Sequence, residues 1–471
     1  MATIIPWRAW RYDFERVNDP ALVLAPPYDV ISEPEREQFV SRHPHSIVRL
    51  TLGVDPLDTP PSRSRYELAA ADLREWRREG VLVQEEQPVF YLYEQEYRPP
   101  SPVAQPEGQT LRQLALIGLV KLEEYEKRVV LPHEGTLSAP KADRLRLMEA
   151  TRCSFSQVMG LYSEPELTLE TLASSVRATS PLMAMTDAQG VQHRLWTVAD
   201  TATQEKLAAM LADRPIVIAD GHHRYDTALR YRDEQRAVHG ANGPWEYVSM
   251  ALYNVDAGGL TILPSHRLLR ELPLEAEARL WRDVMEIFDT ERVPVDSSSD
   301  EARAAGIHAL LGRMAQAEPD QHTFALYAGG NYALLLHLRD WDRALAHGVD
   351  SLPPATRELD VALLHKLLIE GVMGLSGDLA ATGANVGFSR DGHDAANRVG
   401  GRGGDGPVRQ HHPRLAGHVG GPGGRADAPE GHLLLPQDSR RPGVARPAAR
   451  GGVAGAHAAG LAGTHIEGKC Y

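Results

Sequence analysis

The chain has 471 residues, 42% of them hydrophobic and 24% charged, which is ordinary for a globular protein large enough for two or three domains. A formal net charge of −13 argues against a nucleic-acid-binding surface spread over the whole molecule and favours a small anionic metabolite or nucleotide in a local basic pocket. Cys153 and Cys470 are too few for a disulfide framework or a cysteine zinc site, and the sequence predicts neither a signal peptide nor a membrane span. We therefore expect a cytoplasmic protein without a membrane segment, whose oligomeric state the sequence does not indicate.

Helices and strands alternate in the first 150 or so residues. PPYDVIS (26–32) predicts a turn, because Pro27 fixes φ and Asp29 can bond to the backbone, and Ser32 can cap the helix that follows. A further helix is predicted over 61–79, and strands are predicted at 47–53, 87–97 and 114–126. Residues 129–152 predict a polar loop that leads into a helix.

The remainder is typical of a protein that mixes helices and strands. Residues 203–235, TQEKLAAMLADRPIVIADGHHRYDTALRYRDEQ, predict helix, strand, turn and helix in close order. Further predicted elements are a strand at 247–255, an apolar run at 262–269, a hairpin around Gly-Gly-Asn at 324–338 and a helix at 360–374. The expected fold class is α/β, in the α+β sense of mixed sheets with helices, and residues 1–396 are expected to form one catalytic or binding module of one or two subdomains.

The composition changes after about residue 397. Residues 400–471 hold 18 of the 41 glycines, one tyrosine and no phenylalanine or tryptophan, so 397–471 is predicted to be disordered. DAPEGHLLLPQDS (427–439) can be encoded by codons that give MPQKATYFYPKI when read one nucleotide later, and the same offset turns 410–419 into SITRVWQVM. Both shifted readings contain the aromatic residues that the tail lacks. We interpret the tail as out of frame, with the shift near residues 396–402, and assign no metal site to its histidines.

The sharpest cluster of functional residue types is Asp220-Gly221-His222-His223-Arg224, where a predicted strand turns into a helix. The first turn of a helix presents unpaired backbone N–H groups and the positive end of the helix dipole, which favour anions. Gly221 allows a tight turn, Arg224 can hold a phosphate through two parallel hydrogen bonds, and Asp220 can hold a metal ion or orient a histidine. Either this cluster binds phosphate or carboxylate, or Asp220 only caps the helix and the histidines lie on its surface.

Two further segments carry candidate residues. His133 and Glu134 lie in a polar loop, where a glutamate beside a histidine can act as general base or metal ligand, or can simply be solvated. His266 and Arg267 end an apolar run, where α/β proteins often present ligand contacts, or they form a surface pair at a strand end.

The sequence contains no GxSxG, no GxxxxGKS, no GxGxxG after a predicted strand and no HExxH. These absences argue against the serine-hydrolase, P-loop, dinucleotide-binding and zincin classes.

Five segments together resemble domain-of-unknown-function family 1015, a bacterial and archaeal family sometimes described as ParB-like. They are PPYDVIS (26–32), HEGTLSAPKADRL (133–145), ADGHHRYDTAL (219–229), ILPSHRLL (262–269) and LDVALLHKLL (359–368), in the order that the family shows. Family members usually end in a stretch like MPxKSTYFYPK, which the shifted reading of 427–439 returns. The chain departs from the family at Pro132 and Gly135, where arginine and lysine are common.

The resemblance implies a ParB/sulfiredoxin-like nucleotide-binding element around 214–240. The candidate phosphate-binding residues are Gly221, His223, Arg224, His266 and Arg267. The candidate catalytic residues are His133, Glu134, Asp220 and His222. Asp220 is also the candidate ligand for a metal ion, Mg²⁺.

By analogy with that superfold, the expected function is a nucleotide-dependent phosphotransferase or phosphohydrolase that acts on a small hydroxylated metabolite such as serine or phosphoserine. Its cofactors would be Mg²⁺ and ATP, ADP or CTP. One alternative is a ParB-like regulator that binds CTP or associates with nucleic acid, which a salt-dependent DNA affinity would reveal. Another is a metal-dependent hydrolase, whose ligands would have to converge in space. Those ligands would be His133, Asp220, His222 and His266.

Overall fold

The computed structural model describes residues 2–53, 63–98, 110–132, 138–260, 266–269, 272–318, 321–352, 357, 360–375, 386–389, 392–400, 433–435 and 468–470. The chain divides into two compact units. The first unit is Met1–Pro99, Gln105–Thr261 and Gly455–Tyr471, and the second unit is Pro100–Ala104 and Ile262–Ala454. Each unit contains a mixed or antiparallel β-sheet with helices, so the predicted α/β class with mixed sheets is confirmed. Within the described ranges, no helix is both long and apolar enough to cross a membrane.

The first unit contains twelve described strands in the span 2–260. They are β1 (Ile4–Ile5), β2 (Trp10–Tyr12), β3 (Leu82–Gln84), β4 (Phe90–Tyr97), β5 (Leu111–Lys121), β6 (Val130–Leu131), β7 (Cys153–Ser154), β8 (Val158–Tyr162), β9 (Met183–Thr186), β10 (Gln192–Val198), β11 (Ile216–Asp220) and β12 (Tyr247–Asn254). Its α-helices are α1 (Phe14–Val17), α2 (Pro20–Val23), α3 (Glu33–Arg42), α4 (Val48–Thr51), α5 (Arg65–Arg78), α6 (Ser138–Thr151), α7 (Thr168–Arg177), α8 (Thr201–Ala212) and α9 (His222–His239). The helix, strand, turn and helix predicted for 203–235 are therefore confirmed as α8, β11 and α9.

The main sheet of the first unit has the strand order β6-β11-β8-β12-β5-β4-β10-β9, with β1 paired to β5. β11 runs parallel to β6 and antiparallel to β8, so the sheet is mixed. Ile218 of β11 and Tyr225 and Ala228 of α9 belong to one buried cluster, which fixes the start of α9 against the sheet. Full burial of a side chain such as Ile218 stabilises a fold by about 1.5 to 3 kcal/mol, so packing against the sheet holds the turn between β11 and α9 in place.

The second unit contains strands and helices in a separate arrangement. Its strands are β13 (His266–Leu269), β14 (Phe288–Pro294), β15 (Thr323–Tyr327), β16 (Tyr332–Leu338), β17 (Val386–Ser389) and β18 (Leu433–Leu435), in the sheet order β14-β16-β15-β18-β13-β17. Its helices are α10 (Leu274–Ile287), α11 (Asp300–Met314), α12 (Trp341–Ala346), α13 (Asp360–Leu363), which continues as a π-helix over Leu364–Val372, and α14 (Gly392–Gly400). The hairpin predicted at 324–338 is confirmed as β15 and β16.

The strand predicted at 47–53 is wrong, because the chain forms the short helix α4 there. Ile47, Val48, Leu50 and Thr51 are all buried, and the helix packs against α3 and α5. A short apolar run does not distinguish a strand from a buried helical turn, since both bury every side chain. Tertiary packing, which the local pattern does not contain, decides the conformation here.

Beyond Gly400 the structure describes two three-residue strands, β18 and β19 (Gly468–Cys470). β18 pairs with β13 and β15, and β19 pairs with β7 in a register that sets Cys470 opposite Cys153. Cys153 is disulfide-bonded, a single pairing that the sequence did not predict. The interpretation of 397–471 as a disordered, out-of-frame tail stays a prediction.

Candidate functional site

The first unit turns from β11 into α9 at Gly221. This residue has a φ of +92°, in the left-handed region that glycine adopts at little cost. A Cβ added at position 221 would lie 2.9 Å from both Nε and Cζ of Arg224. Position 221 therefore requires glycine for two reasons, the backbone angle and the space that the Arg224 guanidinium fills.

The Arg224 side chain folds back over this turn. Its guanidinium donates hydrogen bonds to the Asp220 carboxylate and to the Gln157 carbonyl oxygen, and 10% of the side chain is exposed. Burial lowers the pKa of Arg224, but the nearby charges of Asp220 and Asp29 outweigh that effect and raise it, so the guanidinium stays charged. Its Nε is buried and has no hydrogen-bond partner in the described part of the chain. A buried, charged group with an unmatched donor favours an acceptor ligand or a bound water.

A second buried arginine lies close to the first. Arg144, on α6, has 9% of its side chain exposed, and its guanidinium carbon lies 4.0 Å from the centre of the Tyr28 ring. Tyr28 belongs to a short 3₁₀ helix, Tyr28–Val30, within the PPYDVIS segment. Burial raises the pKa of the Tyr28 phenol, so at neutral pH it remains a hydrogen-bond donor. An arginine stacked on an aromatic ring is held in place, and here one edge of the guanidinium donates to Asp143.

Arg144, Arg224 and Tyr28 line one small cavity of about 40 Å³. The rest of its lining is Thr51, Leu147, Met148, Cys153, Ser154, Phe155, Ser156 and Thr227. A volume of this size holds roughly three water molecules, so it suits a small group such as a single phosphoryl or carboxylate and is too small for a nucleoside. The structure thus brings together residues from three of the five segments that resemble the family, 26–32, 133–145 and 219–229.

The predicted site residues differ in where they lie and in how far they are buried. Asp220 and His223 are half-buried beside the turn, whereas His222 is 2% exposed and does not lie on the helix surface. His133 and Glu134 fall outside the described residues. His266 and Arg267 are buried in β13 of the second unit, so the surface pair considered for them is wrong.

The described carboxylates around the cavity do not fit a Mg²⁺ site by themselves. Asp220 is ion-paired with Arg224, Asp143 with two arginines, and Asp226 with Lys141 at 3.4 Å. Among the residues that the structure describes, no group of three or more His, Cys, Asp or Glu side chains could hold a metal ion. The role of Asp220 as a metal ligand stays a prediction, and we derive no step from it.

Tyr28, Arg144, Gln157 and Thr227 were not predicted as site residues. Gln157 and Thr227 contribute a backbone carbonyl and a short side chain, for which sequence offers no signal. Tyr28 could have been found, because it lies in one of the five segments that resemble the family, and Arg144 lies in another.

Asp143 holds the Arg144 side chain in position. It accepts hydrogen bonds from Arg65, from Nε of Arg144 at 2.9 Å and from the Tyr66 hydroxyl at 2.8 Å. Burial would raise the pKa of Asp143, but the charge of Arg144 and these hydrogen bonds lower it to about 2. The carboxylate is therefore ionised over the whole physiological range and stabilises the folded protein while it is ionised.

Asp143→Asn is expected to lower the free energy of unfolding by about 1 to 2 kcal/mol at pH 7, an estimate reduced because the carboxylate is partly exposed. The stabilisation by a carboxylate with a depressed pKa is fully present above its unfolded value, 3.8, and is lost as the pH falls through about 2. The difference in the free energy of unfolding between wild type and variant should therefore become smaller below about pH 4. Urea unfolding at several pH values measures it. Glu149→Gln, at an exposed position of α6, serves as the control. A difference that stays constant down to pH 2 would contradict the assignment.

Comparison with known proteins identifies a family and supplies no activity. The family described as "Protein of unknown function (DUF1015)" matches residues 4–362. No curated protein and no solved structure matches the chain. The family expected from the five segments is therefore confirmed, whereas the likeness to the ParB/sulfiredoxin superfold stays a prediction.

Proposed function

The chain belongs to the DUF1015 family, and we propose that it is a nucleotide-dependent phosphotransferase or phosphohydrolase that acts on a small hydroxylated metabolite of the serine or phosphoserine kind. One observation carries the proposal: the buried guanidiniums of Arg144 and Arg224 line the same small cavity, at the N-terminus of α9. Each guanidinium is also paired with a carboxylate, so the preference for an anionic acceptor comes from Nε of Arg224, unmatched among the described residues, and from the positive end of the helix.

Phosphoryl transfer is the chemistry that such an arrangement can assist. Arginines around a phosphoryl group offset the charge on its oxygens and hold it in line for attack. In the transfer, a hydroxyl oxygen of the metabolite attacks phosphorus and the bond from phosphorus to the nucleotide's bridging oxygen breaks. The hydroxyl proton passes to a carboxylate, for which Asp220 and Glu134 are the candidates. In hydrolysis, water takes the place of the hydroxyl.

The size of the cavity constrains how substrates bind. Because about 40 Å³ accommodates one phosphoryl group, the base and sugar of a nucleotide would lie outside it. Mg²⁺ would arrive on the nucleotide phosphates, its usual place in phosphoryl-transfer enzymes, rather than in a protein cage. The strand, Gly221 and helix arrangement supports the analogy with ParB/sulfiredoxin-like phosphate binding, and we propose Gly221, His223 and Arg224 as its phosphate-binding element. His266 and Arg267 remain proposed phosphate contacts in the second unit.

Phosphorus NMR tests the proposal. The 471-residue protein is incubated with Mg²⁺ and ATP, ADP or CTP, with and without serine and phosphoserine. We expect new phosphorus signals with at least one pair, and a loss of about 100-fold in their rate of appearance in Arg144→Ala, since removal of one preorganised donor commonly costs this much.

The control is Arg146→Ala, an exposed arginine on the same helix, which should turn over at the wild-type rate. Equal rates in Arg144→Ala and wild type would remove Arg144 from the site. Unchanged spectra with every nucleotide and metabolite would overturn phosphoryl transfer for these substrates and leave the cavity as a binding site, as a ParB-like regulator would have.

A further inference from the structure

Tyr28 contributes a donor-bearing side chain to the lining of the cavity. The side chain is half-buried, and Arg144 and Arg224 line the same cavity. Nε of Arg224 is unmatched among the described residues. A buried donor normally finds a partner, so the buried Nε of Arg224, with the Tyr28 side chain on the same cavity lining, indicates a ligand that accepts several hydrogen bonds.

We infer that Tyr28 is a ligand-binding residue, and that it makes the site selective for a terminal phosphoryl group over a carboxylate. This inference rests on the proposed function and narrows its substrate to phosphomonoesters and nucleotides with a free terminal phosphate. Tyr28 comes from a 3₁₀ helix, Arg144 from α6 and Arg224 from α9, so three donor-bearing side chains approach the cavity from three separate elements. A terminal phosphoryl group presents three free oxygens in a tetrahedral arrangement and carries up to two negative charges, whereas a carboxylate presents two oxygens in one plane and a single charge, so donors from three separate elements match the phosphoryl group better.

A purely structural role for Tyr28 would rest on its ring. The ring carries the stacked Arg144 guanidinium, at 4.0 Å, and phenylalanine would preserve that contact. Removal of the hydroxyl alone therefore separates the two roles: it takes away the donor to the ligand and leaves the support for Arg144. Tyr28→Phe is the informative variant for this reason.

A matched control exists in the second unit. Tyr332 also has an arginine stacked on its ring, Arg292 at 4.8 Å, and it is also half-buried. Tyr332→Phe removes a hydroxyl of the same kind beneath an arginine that belongs to no cavity of the proposed site. Any general effect of losing such a hydroxyl should appear equally in both variants.

The experiment is isothermal titration calorimetry of wild type, Tyr28→Phe and Tyr332→Phe with inorganic phosphate, phosphoserine and acetate. We expect wild type to bind phosphate and phosphoserine more tightly than acetate. Tyr28→Phe should raise the Kd for phosphate and phosphoserine by about tenfold, the usual effect of one hydrogen bond to a charged group, and leave acetate unchanged. Tyr332→Phe should bind like wild type, and thermal unfolding should show both variants folded.

Several outcomes would overturn the inference. They are phosphate binding by Tyr28→Phe as tight as wild type, acetate binding as tight as phosphate, and no phosphate binding by wild type. The proposed function can fail while this inference holds. If phosphate binds tenfold more weakly to Tyr28→Phe and wild type transfers no phosphoryl group in the NMR experiment, the phosphate site stands and the proposed enzymatic activity is wrong.

Discussion

Arg224→Ala is expected to raise the Kd for inorganic phosphate by about 100-fold, the largest effect on binding of any single substitution at the cavity. The guanidinium contributes a full charge and, in Nε, a buried donor with no partner among the described residues. Loss of a buried charged donor from a binding site commonly costs about 2 to 5 kcal/mol. Titration calorimetry of phosphate measures the loss directly.

The same substitution should also destabilise the fold, because Asp220 loses the guanidinium to which it is paired. Breaking a buried pair costs about 3 to 5 kcal/mol, and since 22% of the Asp220 side chain is exposed we expect about 1 to 3 kcal/mol, measured by urea unfolding. Arg230→Ala is the matched control, since Arg230 lies on the same helix, is largely exposed and bonds only to Glu234 among the described contacts. A Kd within threefold of wild type in Arg224→Ala would exclude Arg224 as the phosphate ligand.

The sequence predicted the secondary structure around the site better than it predicted which residues make up the site. The run from Ile216 to Asp220 is a short apolar strand, and the chain beyond Gly221 has a helical pattern, so the position of the turn could be read from adjacent residues. The strand predicted at 47–53 shows the limit of that method, because its burial comes from α3 and α5, which a local pattern does not contain.

The partners of Arg224 could not be predicted in the same way. Arg144 and Tyr28 precede it by about 80 and 200 residues, and only the folded chain brings them to one cavity. In the sequence, Arg144 lies in the segment 133–145, whose predicted site residues were His133 and Glu134. The physical reason is general: the neighbours of a charged side chain in three dimensions decide whether it belongs to a site. Spacing along the chain predicts those neighbours only within one helix or strand.

Gly221 is the residue of the site whose role follows most directly from geometry. Gly221→Ala puts a β-carbon on a residue with a φ of +92°, which costs about 1 to 2 kcal/mol for an L-residue in the left-handed region. The added carbon would also lie 2.9 Å from Nε and Cζ of Arg224, so the guanidinium must move. We expect the free energy of unfolding to fall by about 2 to 3 kcal/mol and the Kd for phosphate to rise at least about tenfold.

Gly190→Ala separates the two contributions. Gly190 has a φ of +80°, and a β-carbon there would meet nothing within 4 Å, so this variant reports backbone strain without a clash. It should lose about 1 kcal/mol of stability and bind phosphate like wild type. The excess loss in Gly221→Ala, together with its weaker binding, then measures the displacement of Arg224. Equal losses of stability in the two variants, with phosphate binding unaffected in both, would mean that the position of the Arg224 guanidinium over Gly221 does not matter for the anion site.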